Sequence, residues 1–184
     1  MRWLSAVLVA VALTAVSAAP ADAKKKPKPP NPCKVLLPAD LETIFEQPWR
    51  HGVPQLGGAC TFQRPSGVSV PNIVVSLIVE QKRSPKKAKQ AFARSEKATR
   101  SIVDQIEPTK GLGQRGYLTT IIGADVLSFW VRRYLVEVRV DRVDRPQEAY
   151  HDQILAIGSI VEARLLPPPP TTTSTTRRPR KQAR

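Results

Sequence analysis

The sequence predicts an α+β domain, in which an antiparallel sheet of about five strands carries a short N-terminal helix, a long central helix and a C-terminal helix. Residues 72–81 are a nearly continuous apolar and β-branched run, typical of a buried strand. Residues 134–140 alternate between apolar and charged residues, which indicates a strand with one buried face. Residues 84–106 repeat apolar residues at three- and four-residue steps, which indicates a helix. Consecutive strands favour antiparallel pairing with helices packed on the sheet.

The elements follow in the order α-β-β-α-β-β-β-α. A short helix is expected to begin at Pro38 and to end at Pro48. Residues 60–63 alternate and predict the first strand, and residues 72–81 predict the second. The meander that follows the long helix is expected to use strands at 116–122, 126–131 and 134–140. The last helix is expected to open at Pro146.

The long helix has the clearest boundaries and faces. Ser84 is expected to cap it, Pro85 to occupy its first position and Pro108 to stop it. Its predicted buried side consists of Ala88, Ala91, Phe92, Ser95, Ala98, Ile102 and Ile106. In the last strand of the meander, Val136, Val138 and Val140 are predicted to face the core, and Glu137, Arg139 and Asp141 to face outward.

The chain ends predict an exported protein. Arg2, the apolar run at 3–19 and the small-x-small site at 21–23 are typical of a secretory signal peptide over residues 1–23. An uncleaved membrane anchor is the alternative, although the run of about 17 residues is short for a span. A basic linker at 24–30, a domain at 31–166 and a disordered Pro/Thr-rich basic tail at 167–184 follow.

The two cysteines, Cys33 and Cys60, predict one structural disulfide, because an even cysteine count is typical of exported domains. A redox or metal site is the alternative. No CxxC motif is present, and neither histidine has ligand spacing to the cysteines, so no metal and no cofactor are expected.

The charge pattern favours polyanions as partners. The net charge is +14, of which the linker carries +4 and the tail +5. We expect cell-wall polyanions, an anionic lipid surface or an envelope protein as partners, and no nucleic acid. Solvated spacers are the alternative for the two arms. The candidate contacts are Lys86, Lys89, Arg94, Lys97, Arg177, Arg178, Arg180 and Lys181.

Three segments resemble exported two-cysteine domains of actinobacteria, which are grouped in families of unknown function. They are residues 31–36 (NPCKVL), residues 59–62 (ACTF) and residues 111–114 (GLGQ). The resemblance covers about residues 31–166 and implies a small α+β domain at the outer membrane face or in the wall, with Cys33 bonded to Cys60. This chain departs from the lipidated members because it has no lipid-accepting cysteine, so free secretion or wall retention is expected.

No catalytic motif is present, and we expect a protein that is not an enzyme. The sequence has neither HExxH nor GxSxG, and residues 111–116 fit GxGxxG but precede a strand where a pyrophosphate site needs a helix. A candidate recognition loop is Trp49, Arg50 and His51, with a Trp49 folded into the core as the alternative. The expected function is a non-enzymatic binding or interaction domain associated with the cell envelope. A carrier of a small apolar ligand and a hydrolase with an unrecognised site are the alternatives.

Overall fold

The computed structural model describes residues 28–65, 72–142 and 150–167. Within these ranges the chain forms four helices and one antiparallel sheet of seven strands, in the order β1-β2-β3-β7-β6-β5-β4. The helices are α1 (Pro32–Val35), α2 (Pro38–Phe45), α3 (Pro85–Arg100) and α4 (His151–Leu165). The strands are β1 (Val53–Pro54), β2 (Ala59–Gln63), β3 (Ile73–Gln81), β4 (Glu107–Thr109), β5 (Arg115–Ile121), β6 (Ala124–Val131) and β7 (Tyr134–Arg142).

The prediction of five strands is wrong, although the broader α+β class fits. The two additional strands, β1 and β4, are two and three residues long and lie at the two edges of the sheet. Each contains a proline, Pro54 or Pro108, which is tolerated at an edge because no neighbouring strand needs its N–H. The helix α1 was also missed. Elements this short have no periodicity to detect, so the predicted order α-β-β-α-β-β-β-α is incomplete.

The first face of the sheet packs against α1 and α4, and α2 packs on α4, so that these elements form the main core. The alternation predicted for β7 is confirmed on this face, where Val136, Val138 and Val140 are fully buried. Register explains why this core is continuous, because Val138 lies opposite Leu77 of β3 on one side and opposite Leu127 of β6 on the other.

The second face is covered only in part. Helix α3 packs Ala88 and Phe92 on Tyr117 and Trp130 and contacts mainly β6 and β7, while Ile78 of β3 is 37% exposed. Glu137, Arg139 and Asp141 lie on this face. They were predicted to be exposed, but they are half-buried.

Helix α3 begins as predicted, since Ser84 Oγ accepts a hydrogen bond from the N–H of Lys87 at 3.3 Å and Pro85 occupies the first position. The helix ends at Arg100, earlier than the predicted stop at Pro108. Ile102 therefore lies beyond the helix and is 72% exposed, where it was predicted to be buried.

The predicted disulfide is present and joins α1 to β2, with the Cα atoms of Cys33 and Cys60 5.2 Å apart. A structural disulfide indicates an oxidising, extracytoplasmic environment. The signal peptide expected at 1–23 and most of the expected tail at 167–184 lie outside the described residues. No helix within the described ranges is long and apolar enough to cross a membrane.

Candidate functional site

A groove lined by arginines lies at the end of the sheet where β6 turns into β7, which we call the hairpin end. Three segments meet there. The β6–β7 turn contributes Arg132 and Arg133, the connection from β3 to α3 contributes Arg83, and the end of α4 contributes Arg164. Antiparallel register brings them together, because Gln81 at the end of β3 pairs with Tyr134 at the start of β7. We call this space, of about 780 Å³, the arginine groove.

The four arginines of the groove are in different electrostatic states. Arg164 is held by the Asp40 carboxylate at 2.5 and 2.8 Å and also donates to the carbonyl oxygen of Val35. In contrast, no ion pair among the described residues includes Arg83, Arg132 or Arg133. Within the described ranges, three guanidinium groups of the groove thus have no carboxylate partner, whereas Arg164 joins α4 to α2 through Asp40.

The pKa values of the Arg164–Asp40 pair fit this structural role. Burial alone would raise the pKa of Asp40, but the hydrogen bonds from Arg164 and from the Leu37 N–H hold it below its ordinary value. The hydrogen bonds to the Asp40 carboxylate, together with its negative charge, raise the pKa of Arg164. Asp40 therefore stays ionised and keeps Arg164 in place.

The walls of the groove restrict how its arginines can point. Arg133 lies over the Tyr134 ring, with its guanidinium carbon 5.7 Å from the ring centre. Its carbonyl oxygen accepts from the N–H of Lys82 at 2.8 Å, which fixes the β6–β7 turn against the segment leading to α3. Leu165 and Pro85 supply apolar surface to the same groove.

Helix α3 extends this positive surface away from the groove. It carries six basic residues and one acidic residue, a net charge of +5. The acidic residue, Glu96, is buried and bonded to Arg100 and Arg115 at 3.0 and 2.9 Å, so it does not neutralise the exposed side of the helix. Four residues that the sequence predicted as polyanion contacts are all exposed on α3, and we call them the cationic stripe: Lys86, Lys89, Arg94 and Lys97.

The cationic stripe and the groove form one continuous surface. Lys86 is the second residue of α3 and follows Ser84 and Pro85, which line the groove. Sixteen helical residues span about 24 Å. A linear anionic ligand that entered the groove would therefore meet a charge on almost every turn of α3. Guanidinium groups bind phosphate and carboxylate oxygens with paired hydrogen bonds, while lysines attract them as point charges.

The remaining predicted contacts, Arg177, Arg178, Arg180 and Lys181, lie outside the described residues. The last described residue before them, Pro167, lines the arginine groove.

The predicted recognition loop lies far from the groove. Trp49 is only 6% exposed and stacks on Phe45 at 5.2 Å, with the Arg64 guanidinium carbon 5.4 Å from its ring. Trp49 is therefore a core residue, and the loop presents Arg50 and His51 to solvent. A recognition role for this loop stays a prediction that rests on these two side chains.

The second histidine, His151, tests the hydrolase alternative. Its Nε2 lies 3.7 Å from Asp125 Oδ1, and the Thr120 hydroxyl donates to the same carboxylate oxygen at 2.8 Å. A catalytic triad needs the histidine between the acid and the nucleophile, whereas here the acid lies between the other two. Asp125 also accepts from Arg142 and from the Tyr150 N–H at 3.0 and 2.8 Å, so it joins β6 to β7 and α4.

The carrier alternative needs an apolar cavity between the sheet and a helix. The cavity described beneath α3 holds only about 110 Å³ and is lined in part by Ser95, Ser128 and Glu137. Pockets for small molecules usually measure about 300–1,000 Å³ and are mostly apolar. Burial raises the pKa of Glu137, which marks this cavity as a poor environment for a charge.

No group of three or more potential metal-ligating side chains occurs in the described part of the chain.

No protein-family model and no curated protein matches the sequence. The resemblance to exported two-cysteine domains of actinobacteria therefore stays a prediction.

No motif in the sequence predicts the arginine groove. Arg132 and Arg133 fall between the strands predicted at 126–131 and 134–140, and neither they nor Arg83 were predicted as site residues. The available signal was the unusual Arg-Arg pair in a two-residue turn. The Arg-Arg pair indicates a cationic groove only once the pairing of β3 with β7 brings Arg83 beside the turn.

Proposed function

We propose that this protein is a non-enzymatic, exported binding domain that is retained at the cell envelope by an anionic wall polymer. The polymer lies in the arginine groove and continues along the cationic stripe. The observation that carries this proposal is a set of three arginines, Arg83, Arg132 and Arg133, which form no ion pair with any described residue and lie at the start of a helix with a net charge of +5.

Two physical arguments favour a polymer over a single small anion. The groove is open and larger than a phosphate group requires, and its charges continue along about 24 Å of helix. Repeated weak contacts add when they are linked in one ligand, so a chain of phosphate or carboxylate groups gains affinity from each turn of α3 that it follows.

An exported protein encounters the polymers and lipids of the cell envelope, and two observations support export. The disulfide indicates an oxidising compartment, and residues 1–23 have the pattern of a signal peptide. Phosphate-bearing wall polymers and lipid head groups are the abundant polyanions in that setting. The cationic stripe follows one helix rather than a broad flat surface, which fits a linear polymer better than a membrane plane.

The test compares the mature chain from Lys24 with a triple variant, Arg83→Ser/Arg132→Ser/Arg133→Ser. Poly(glycerol phosphate) is the probe, and its affinity is measured over a series of salt concentrations. We expect the variant to lose affinity by about tenfold or more at 150 mM salt. The slope of log affinity against log salt should become shallower by up to about three, because each lost phosphate contact removes about one released counterion.

A matched control removes the same charge elsewhere through Lys28→Ser, Lys34→Ser and Lys110→Ser, all of which are exposed. Equal losses in the two triple variants would show that only net charge matters and would overturn the groove as the site. A parallel arm uses vesicles of phosphatidylglycerol and phosphatidylcholine. Binding to vesicles without binding to the soluble polymer would also overturn the proposal, in favour of a lipid ligand.

A further inference from the structure

An exposed isoleucine occupies an unfavourable position at the end of the sheet opposite the arginine groove. Ile122 and Gly123 form the two-residue turn between β5 and β6, and both have positive φ, +45° and +73°. Ile122 is 96% exposed. Left-handed backbone is a rare conformation for a β-branched residue, and turns of this kind prefer Asn-Gly. Neither local backbone preference nor burial in this domain explains an isoleucine at this position.

The surroundings of Ile122 form a small surface with its own chemistry. A cleft of about 390 Å³ lies between this turn and the segment that follows α3. Ile102, which is 72% exposed, stands on the other side of the cleft, and Asp104 and Glu107 lie beside it. Among the described residues neither carboxylate makes an ion pair. We call Ile102, Asp104, Glu107 and Ile122 the isoleucine tip.

The isoleucine tip is the chemical complement of the arginine groove. The tip presents an exposed apolar side chain and, in the same cleft, two carboxylates that form no ion pair with a described residue. The groove presents an apolar hollow, formed in part by Pro85 and Leu165, and three guanidinium groups that likewise have no ion pair within the described ranges. The two surfaces lie at opposite ends of α4, since His151 lines the cleft and Leu165 lines the groove. Fifteen helical residues separate them by about 22 Å, so one molecule cannot join its own tip to its own groove.

We propose that a second copy of this chain inserts its isoleucine tip into the arginine groove, so that copies associate head to tail. This inference rests on the groove that the proposed function uses, and it adds that a second copy and an anionic polymer exclude each other there. A contact between two different surfaces of the same chain does not close on itself as a two-fold dimer does. Association therefore continues into short chains or rings until polymer occupies the groove.

The net positive charge of the protein makes its copies repel one another, which opposes self-association. The salt concentration determines whether this repulsion or the attraction between tip and groove is stronger. At physiological ionic strength the Debye length is about 8 Å, so charges at the far ends of two neighbouring copies are screened from each other. Carboxylate and guanidinium groups in direct contact are screened much less. Self-association is thus expected to be strongest near 150 mM salt and weaker at very low salt.

The experiment uses the mature chain from Lys24 in sedimentation equilibrium over a concentration series at 150 mM salt. The average mass of the wild-type chain is expected to rise with concentration. Ile122→Asn should weaken association by about tenfold or more, because an isoleucine side chain no longer becomes buried. This variant is expected to fold well, since it creates the preferred Asn-Gly turn. Its binding of poly(glycerol phosphate), measured at protein concentrations too low for copies to associate, should equal that of the wild type.

Two charge-reversed variants test the pairing of the surfaces. The tip variant is Asp104→Lys/Glu107→Lys, and the groove variant is Arg132→Glu/Arg133→Glu. Each alone should stay monomeric. Their mixture should associate into chains in which the two variants alternate, because the intact groove of the first accepts the intact tip of the second and the reversed groove of the second accepts the reversed tip of the first. All four changes in one chain should restore self-association.

Each contrary result has a definite meaning. A monomeric wild type, or a mixture that stays monomeric while the wild type associates, would overturn the head-to-tail contact and leave polymer binding standing. Self-association that persists when poly(glycerol phosphate) is bound would overturn the mutual exclusion. Self-association by a chain that does not bind the polymer at all would overturn the proposed function but not the contact between copies.

Discussion

Asp125 is expected to be the polar side chain on which the stability of the domain depends most. It is fully buried in β6, and its carboxylate accepts hydrogen bonds from Thr120 of β5, from Arg142 of β7 and from the Tyr150 N–H at the start of α4. Asp125 thereby links Arg142 and Tyr150, the two described residues on either side of residues 143–149. The change Asp125→Ala removes all three hydrogen bonds at once.

The expected loss can be estimated from these contacts. The Arg142 side chain is only 4% exposed and would lose the Asp125 carboxylate while remaining in the protein interior. Removing one member of a buried ion pair costs about 3–5 kcal/mol, against a total stability of about 5–15 kcal/mol for a typical domain. We therefore expect Asp125→Ala to lower the free energy of unfolding by about 3–5 kcal/mol, measured by urea denaturation of the chain from Lys24.

Two further variants separate charge from shape. Asp125→Asn keeps the volume and one oxygen acceptor, and should cost less than Asp125→Ala. The double variant Asp125→Leu/Arg142→Leu removes both charges and should also cost less than Asp125→Ala, because no charge is then buried without its carboxylate. A loss below about 1 kcal/mol for Asp125→Ala would refute the reasoning, since it would show that Arg142 and the Tyr150 N–H are satisfied equally well without the carboxylate.

Three other predictions follow from the structure. Replacing Cys33 and Cys60 by serine should lower the free energy of unfolding by about 3.5 kcal/mol, the chain-entropy value for their separation of 27 residues, and urea denaturation would measure it. Because burial raises the folded-state pKa of Glu137 above 4.5, this residue favours the folded state at low pH, and that contribution is lost as the pH rises through the folded-state pKa. Glu137→Gln should therefore flatten the fall in stability with pH, as thermal melts between pH 4 and 8 would show. Val138→Asp should abolish cooperative unfolding in calorimetry, because it places an unpaired charge at a fully buried position, and a normal melt would contradict the assigned face.

The positions of the charged side chains determine where the proposed polymer would bind. The groove and the start of the cationic stripe lie at the hairpin end, and Pro167, which precedes the basic tail, lies there as well. The cleft beside the isoleucine tip carries Asp104 and Glu107 at the other end. A polymer that enters at the groove therefore begins its path at the end of the sheet that is remote from these two carboxylates.

Elements with strong local signals could be predicted from the sequence. The alternation around Val138 identified the buried face of β7, because the side chains of a strand alternate with a period of two whatever the neighbours are. Ser84 and Pro85 identified the start of α3, since capping depends on residues that are adjacent in the chain. The pairing of Cys33 with Cys60 followed from there being only two cysteines.

Only the tertiary structure decided the features that depend on residues far apart in the sequence. The strands β1 and β4 exist because a neighbouring strand is present to pair with them, and Trp49 is buried because Phe45 and Arg64 cover it. The arginine groove has the same origin, since β3 must pair with β7 before Arg83 can lie near Arg132. The sequence by itself determined local periodicity, helix capping and the excess of positive charge. Strand pairing determined where that charge is concentrated, because it brings together side chains that the sequence keeps about fifty residues apart.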